Sequence, residues 1–177
     1  MPTRIDETLP KTMTAPRQRR NPWVALGLAL VFALSCGVAA PAGSATAASP
    51  LVVNPETGLA ISGYDPVAYF TRHMPTFGRP DLELSFKGAV WRFQNAGNRA
   101  AFVAHPEVYM PRFGGYDPVA ISRGTSVPGH PLFWALTGER LYLFYSSEAR
   151  ADFLADPGRV IAIAERKWPE VAQTVAR

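Results

Sequence analysis

The sequence predicts a small single α+β domain with a mainly antiparallel sheet of two hairpins and packed helices. Three observations lead to this prediction. Two segments read as pairs of short apolar strands around a glycine, and each is followed by a polar capping residue and a helical stretch. The hexapeptide GYDPVA occurs twice, at 63–68 and 115–120, ahead of each strand pair. The chain is therefore either a duplicated unit or one local structure used twice.

An export signal is predicted at the N-terminus. A basic stretch at 17–20 precedes an apolar run at 23–40, and small residues with an A-x-A cleavage candidate at 45–47 follow. This order predicts that residues 1–47 direct the chain to the periplasm or the outside and are then removed. Because the apolar run approaches the length of a spanning helix, a retained membrane anchor is the alternative. A membrane partner is expected only if the leader is retained.

Most of the net charge belongs to that leader. The whole chain has a formal charge of +4, but residues 1–47 contain five Lys/Arg and two Asp/Glu. The remainder keeps thirteen basic and twelve acidic residues, so its net charge is near +1. A nucleic-acid partner is therefore not expected. The only cysteine, Cys36, lies in the leader, which excludes a disulfide or a thiolate metal site in the exported chain.

The exported chain divides into three predicted parts. Residues 48–57 are rich in proline and small side chains, which is typical of a loose tether. The folded domain is expected over 58–169, with a short apolar run at 59–61 that can join a sheet edge. Residues 170–177 are expected to form a tail.

The first half of the domain is predicted as a helix start, a hairpin and a helix. Asp65 and the following proline suit the first positions of a helix. Residues 82–93 alternate and turn at Gly88, as a hairpin does. Asn95 is a suitable N-cap for a helix ending near Ala104, since a proline follows His105. Three residues are expected on the buried side of that helix: Ala100, Ala101 and Phe102.

The second half repeats this order. Apolar segments at 133–136 and 141–145 flank Gly138 and predict a second hairpin. Ser146 or Ser147 can cap a helix over 148–155. Asp156 and Pro157 then open a last helix, expected to run to about Lys167 and to be closed by Trp168 and Pro169.

The acidic residues of the hexapeptide have two interpretations. Asp65 and Asp117 can act as paired carboxylates in acid–base chemistry or in binding a hard cation. Alternatively, each caps the helix that the next proline begins, which would contribute about 1 kcal/mol to stability. In that case the hexapeptide is a structural motif, made of Gly63, Tyr64, Asp65 and Pro66 and repeated as Gly115, Tyr116, Asp117 and Pro118.

Four segments together resemble the YHS-domain family of exported bacterial proteins. They are GLAISGYDPVAYF, WRFQNAGNRAAFVAHPEVYMPRFGGY, ERLYLFYS and the late KWP, and the resemblance covers residues 58–169. It implies a small α+β domain, and a role in metal binding, with copper as the metal, has been suggested for the family from its cysteines. The family pattern reads Gly-Gly-Tyr-Cys-Ala where this chain has Gly114-Gly115-Tyr116-Asp117-Pro118. Asp117 therefore stands where the resemblance implies a thiol ligand, which argues against soft-metal binding.

Weak metal-ligand candidates remain without that thiol. His73 and Met74 lie in a predicted loop, and with Met110 they offer nitrogen and thioether ligands that suit copper. Asp117 is the fourth candidate. No two of the histidines have a recognisable ligand spacing, so surface or helix-end histidines are the simpler interpretation.

The expected function is that of a YHS-like binding or accessory module without catalysis. No catalytic or cofactor-binding residue is predicted, and the partner is unknown. A periplasmic copper-handling protein that uses His and Met ligands is the alternative. An enzyme that uses Asp65 or Asp117 is a third hypothesis. Five aromatic residues either line a ligand pocket or pack in the core: Tyr109, Phe113, Tyr116, Phe133 and Trp134.

Overall fold

The computed structural model describes residues 50–176, so the predicted export signal at 1–47 lies outside the described residues. The helices are α1 (Ala68–Thr71), α2 (Ala96–Ala104), α3 (Pro106–Tyr109), α4 (Pro118–Ser122), α5 (Ser147–Ala155) and α6 (Pro157–Val175). The strands are β1 (Arg79–Phe86), β2 (Ala89–Phe93), β3 (His130–Thr137) and β4 (Arg140–Phe144). The prediction of a small α+β fold is confirmed.

Two antiparallel hairpins, β1–β2 and β3–β4, form the strand part of the fold, each as its own two-stranded sheet. Both turn through two residues with positive φ, Lys87-Gly88 in the first and Gly138-Glu139 in the second. Two such residues give the turn a twist that matches the flanking strands. Both hairpins were predicted at these glycines. Each first strand begins three residues earlier than predicted, because Arg79 and His130 pair with the ends of β2 and β4 beyond an irregularity in the register.

The two halves of the described chain are structural repeats. A 3₁₀ corner, a short helix, a hairpin, a capped helix and a proline-opened helix follow each other twice. The two 3₁₀ corners are Ile61–Gly63 and Arg112–Gly115. We call residues 61–109 the first repeat and residues 112–175 the second. Even single side-chain bonds recur: Arg99 Nε donates to the Glu83 carbonyl oxygen at 3.1 Å, and Arg150 Nε donates to the Trp134 carbonyl oxygen at 2.6 Å. The fold therefore supports duplication.

Each repeat has its own aromatic centre, and the first core also includes Leu141 and Leu143 of β4 in the second repeat. The first centres on Trp91 and Phe102, whose rings lie 4.9 Å apart, and the second on Tyr142 and Phe153 at 5.1 Å. Phe102 was expected to be buried, and Ala101 packs beside it, but Ala100 is exposed. A helix turns by about 100° per residue, so a position two residues before Phe102 points away from the hairpin.

The segment predicted as a tether is packed where the structure describes it. The Val52 N–H donates to the Gly114 carbonyl oxygen at 2.8 Å, and Val53 pairs with Ala60 in an antiparallel bridge. Leu51 and Val53 also pack against the first core. The prediction of a loose tether is wrong here because burial of these apolar side chains and pairing of their backbone outweigh the local proline content.

Helix α6 continues through the proline expected to end it. It runs over Pro157–Val175 and includes most of the segment predicted as a tail. Ala164, Trp168 and Val171 pack along one face of it, while Pro169 is exposed. A proline inside a helix costs about 3 kcal/mol, and burial of those side chains on the second core offsets this cost. No helix within residues 50–176 has the length and apolar content needed to span a membrane.

Candidate functional site

Both hexapeptides begin with a glycine that ends a 3₁₀ corner, and each corner also holds non-glycine residues at positive φ: Ile61 and Ser62 in the first, Phe113 in the second. Gly63 and Gly115 close the two corners with φ of 83° and 89°, which is a left-handed conformation. Their carbonyl oxygens accept hydrogen bonds from Gly78 N–H and Gly129 N–H, both at 2.9 Å. A Cβ at Gly78 would lie 2.4 Å from the backbone of Arg92. Each corner is therefore held tightly against the hairpin that follows it.

The Asp65 carboxylate is fully buried and accepts four hydrogen bonds. Its Oδ1 accepts from Val67 N–H at 2.8 Å and Ala68 N–H at 3.3 Å, at the start of α1. Its Oδ2 accepts from Gln94 N–H at 2.8 Å and from Asn98 Nδ2 at 2.6 Å. Asp65 thus caps the turn that leads into α1, although the N-cap residue of α1 is Val67 and not Asp65 as predicted. The same side chain also holds the end of β2 and the first turn of α2.

Asp117 does the same work in the second repeat with one donor fewer. Its Oδ1 accepts from Val119 N–H at 2.7 Å and Ala120 N–H at 3.4 Å, and its Oδ2 accepts from Tyr145 N–H at 2.9 Å. The position equivalent to Asn98 is Ala149, which has no donor to offer. We call each buried carboxylate together with its hydrogen-bond donors a clamp. The first clamp has the side-chain donor Asn98, and the second has backbone donors only.

The clamps also show which residues the sequence did not reveal. Gln94, Asn98 and Tyr145 lie about thirty residues from the carboxylates that they bind, and no local pattern marks them. Asp65 and Asp117, considered as a carboxylate pair, each bind donors of their own repeat. An ionised carboxylate has about four lone-pair positions, so Asp65 has no acceptor position left and Asp117 has one.

The tyrosines of the two hexapeptides meet different neighbours. Tyr64 stacks on Phe77 with ring centroids 4.1 Å apart, and Phe77 is 64% exposed. Tyr116 lies 5.8 Å from Trp168 of α6, and burial raises the pKa of its hydroxyl. All five aromatic residues weighed as a pocket contact another aromatic ring: Tyr109 contacts Phe70, Phe113 contacts Trp168, Tyr116 contacts Trp168, Phe133 contacts His130, and Trp134 contacts Tyr69. Core packing accounts for them.

Tyr69 joins the two repeats. Its ring is fully buried on α1, and its hydroxyl donates to the Pro131 carbonyl oxygen of β3 at 3.0 Å. Burial, followed by the proximity of Tyr64 and Asp65, raises the pKa of this hydroxyl far above its usual value. The phenol therefore stays protonated and serves as a hydrogen-bond donor at the junction.

The weak metal candidates occupy unlike environments. His73 and Met74 lie in the exposed loop between α1 and β1, whereas Met110 is partly buried against the first core. The Asp117 carboxylate belongs to the clamp of the second repeat. Within residues 50–176, no three His, Cys, Asp or Glu side chains are grouped closely enough to hold a metal ion.

One cleft borders both corners, and a second lies beside Asp117. The apolar cleft, of about 270 Å³, lies between the N-terminal segment and both corners, and its wall includes Leu51, Val53, Ile61, Pro111, Pro131 and Leu143. Asn54, Ser62 and His130 add polar groups to it. The Asp117 cleft, of about 300 Å³, is bordered by Asp117, Arg123, Thr125, Glu148, Ala149 and Asp152.

The Asp117 cleft is more acidic than basic. Arg123 NH2 lies 3.1 Å from Asp152 Oδ2, so that pair is neutral as a unit. Hydrogen bonds from its own backbone N–H and from the hydroxyls of Ser146 and Ser147 hold the pKa of the exposed Glu148 below its usual value. Asp117 and Glu148 together leave the cleft with negative charge.

Comparison of this chain with protein-family models, with curated proteins and with solved structures gives no match. Function must therefore be inferred from the residues and geometry of the chain itself. The two clamps and the two clefts beside them are the features that bear on it.

Proposed function

We propose that residues 58–169 form an exported binding or accessory module of YHS type that has no catalytic role. The observation that carries this proposal is the use of both hexapeptide carboxylates as acceptors for backbone N–H groups. A general base needs a lone pair within reach of a substrate proton. Asp65 has no such lone pair left, and the one acceptor position left on Asp117 belongs to a side chain that is only 2% exposed, so neither carboxylate is placed as a general base. The resemblance to the YHS family supports the same assignment.

The apolar cleft is the binding site in this proposal. Ligand sites are usually concave and mainly apolar, with a few polar groups that fix orientation. This cleft has such a wall, and Asn54 and His130 supply polar groups at its border. A small, mainly apolar ligand with one or two hydrogen-bonding atoms fits that chemistry.

Export to the periplasm or the outside is part of the proposal. The basic, apolar and small-residue regions of the leader support it. Cleavage after Ala47 would also spare the packed segment, whose first paired residue is Val52. The N-terminal mass of the protein recovered from the native cell tests this step, and a protein that still carries the apolar run at 23–40 would contradict cleavage.

Fragment binding followed by amide NMR tests the cleft. Small apolar fragments should shift the amide signals of Val52, Ser62 and His130. Pro55 is exposed at the cleft, whereas its neighbour Glu56 is exposed and lies outside it. Pro55→Trp should weaken fragment binding and Glu56→Trp should leave it unchanged. Fragments that bind elsewhere, or that respond equally to both variants, would contradict the proposed site.

Titration with copper separates this proposal from the metal-handling alternative. The binding module should hold Cu(I), Cu(II) and Zn(II) only weakly. Micromolar or tighter binding that is lost in His73→Ala or Met110→Ala, but kept in His130→Ala, would replace the proposal with a copper-handling role. A turnover that disappears in a normally folded Asp117→Asn variant would instead support an enzyme.

A further inference from the structure

The second clamp lacks a side chain that the first one has. In the first repeat, Asn98 Nδ2 donates to Asp65 Oδ2 at 2.6 Å. In the second, the equivalent residue is Ala149, and Asp117 Oδ2 accepts only the Tyr145 N–H. Since the surrounding backbone repeats, Ala149 leaves the second carboxylate without the amide group that Asn98 brings to the first.

A cleft lies at this same place. Asp117, Tyr145 and Ala149 all border the Asp117 cleft. Asp117 is only 2% exposed, so a group that reaches its free acceptor position would be largely shielded from water. Hydrogen bonds to a shielded carboxylate are stronger than those on an open surface.

We propose that the Asp117 cleft binds a protonated primary amine, whose N–H group takes the place that the Asn98 amide occupies in the first repeat. The site is separate from the apolar cleft and does not depend on it. Its core is the buried carboxylate of Asp117 with one acceptor position unused. Glu148 adds negative charge, and the hydroxyls of Thr125 and Ser146 offer further acceptors at the border.

An ammonium group fits these residues better than a metal ion. Within the described residues no set of three His, Cys, Asp or Glu side chains is grouped for a metal. The repeat itself shows an N–H donor at the equivalent carboxylate. A quaternary ammonium carries the same charge without an N–H, so it should bind much more weakly.

Titration of the full chain with n-propylammonium chloride tests the proposal, with tetramethylammonium chloride as the matched ligand. Amide NMR should show n-propylammonium shifting the Tyr145 and Ala149 signals. The affinity for tetramethylammonium should be lower by at least roughly tenfold, as expected for loss of one charged hydrogen bond. Equal shifts from both salts would mean unspecific charge attraction and would overturn the proposal.

A variant that brings a side-chain amide to Asp117 provides the second test. Ala149→Asn should restore the amide donor, raise the melting temperature and weaken n-propylammonium binding at least tenfold. Ala151→Asn places the same residue at an exposed position of α5 outside the cleft, and it should lower the melting temperature slightly and leave binding unchanged. Undiminished binding in a folded Ala149→Asn protein, or no n-propylammonium binding by the unmodified chain, would overturn the proposal.

Discussion

Replacing Asp65 by alanine should destabilise the protein far more than removal of an ordinary helix cap. The substitution removes the acceptor of four hydrogen bonds, two to the start of α1 and two that reach Gln94 and Asn98. The Val67 N–H is buried and would be left without a partner. We therefore expect a loss well beyond the value of about 1 kcal/mol that a cap alone contributes.

The magnitude follows from the donors. A hydrogen bond to a charged group contributes about 1.5–3 kcal/mol, and bonds that share one acceptor are not additive. Asp65→Ala should therefore lower the free energy of unfolding by about 4 kcal/mol. Asp117→Ala removes three bonds instead of four and should cost about 3 kcal/mol. The difference should come from Asn98.

A double-mutant cycle measures that contribution. Urea denaturation followed by tryptophan fluorescence gives the free energy of unfolding for the unmodified protein, Asn98→Ala, Asp65→Ala and the double variant. The coupling energy between Asp65 and Asn98 should be about 1 kcal/mol, the difference between the two costs. In the Asn98→Ala background, Asp65→Ala should cost about as much as Asp117→Ala does.

Two results would refute this reasoning. A cost of 1 kcal/mol or less for Asp65→Ala would mean that the carboxylate acts only as a solvated cap. A coupling energy near zero would mean that the Asn98 amide adds nothing to the first clamp, and the comparison between repeats would lose its energetic basis.

Further predictions concern the corners, α6 and the buried phenol. Gly78→Ala and Gly129→Ala should each cost about 3 kcal/mol, because a Cβ would lie 2.4 Å or 2.6 Å from fixed atoms. In α6, a Cβ at Gly158 would meet nothing within 4 Å, so Gly158→Ala should stabilise the protein by about 0.5 kcal/mol. If urea denaturation gives all three substitutions the same change in the free energy of unfolding, the packing argument is contradicted. Pro169→Ala should raise the free energy of unfolding by about 2 kcal/mol, whereas a loss would show that the proline fits the helix without strain. Because the pKa of Tyr69 is raised in the folded protein, this phenol loses its proton at a lower pH in the unfolded chain than in the folded one. The buried phenol therefore contributes to stability in a pH-dependent way. Its contribution is complete below about pH 10 and is lost as the pH rises further, by at most about 1.4 kcal/mol per pH unit. Urea midpoints between pH 8 and 11 should fall less steeply in Tyr69→Phe, and an identical slope would contradict this assignment.

Turn and capping residues made much of the fold predictable from the sequence. Gly88 and Gly138 mark the hairpin turns, and Asn95 and Ser146 accept the capping bonds expected of them. These residues act on backbone within a few positions of themselves, so their effect can be predicted from short segments of sequence.

The features that were predicted wrongly or incompletely depend on contacts between segments that are distant in the sequence. Pro169 has a strong helix-breaking preference, but the packing of Trp168 on the second core overrides it. The N-terminal segment has the composition of a tether, but the hydrogen bond from Val52 N–H to the Gly114 carbonyl oxygen fixes it to the domain. The clamps were predicted only as caps, since nothing near Asp65 in sequence indicates Gln94 or Asn98. Candidate sites are therefore less predictable than turns and caps.

Native-state hydrogen exchange tests the central claim most directly, namely that each hexapeptide carboxylate holds the end of its own hairpin. The Gln94 and Tyr145 amide protons report on the first and second clamp respectively. Relative to the slowest amides of the same variant, Asp65→Ala should remove the protection of Gln94 and leave Tyr145 protected, and Asp117→Ala should do the reverse. Protection of both amides unchanged in both variants would contradict the claim.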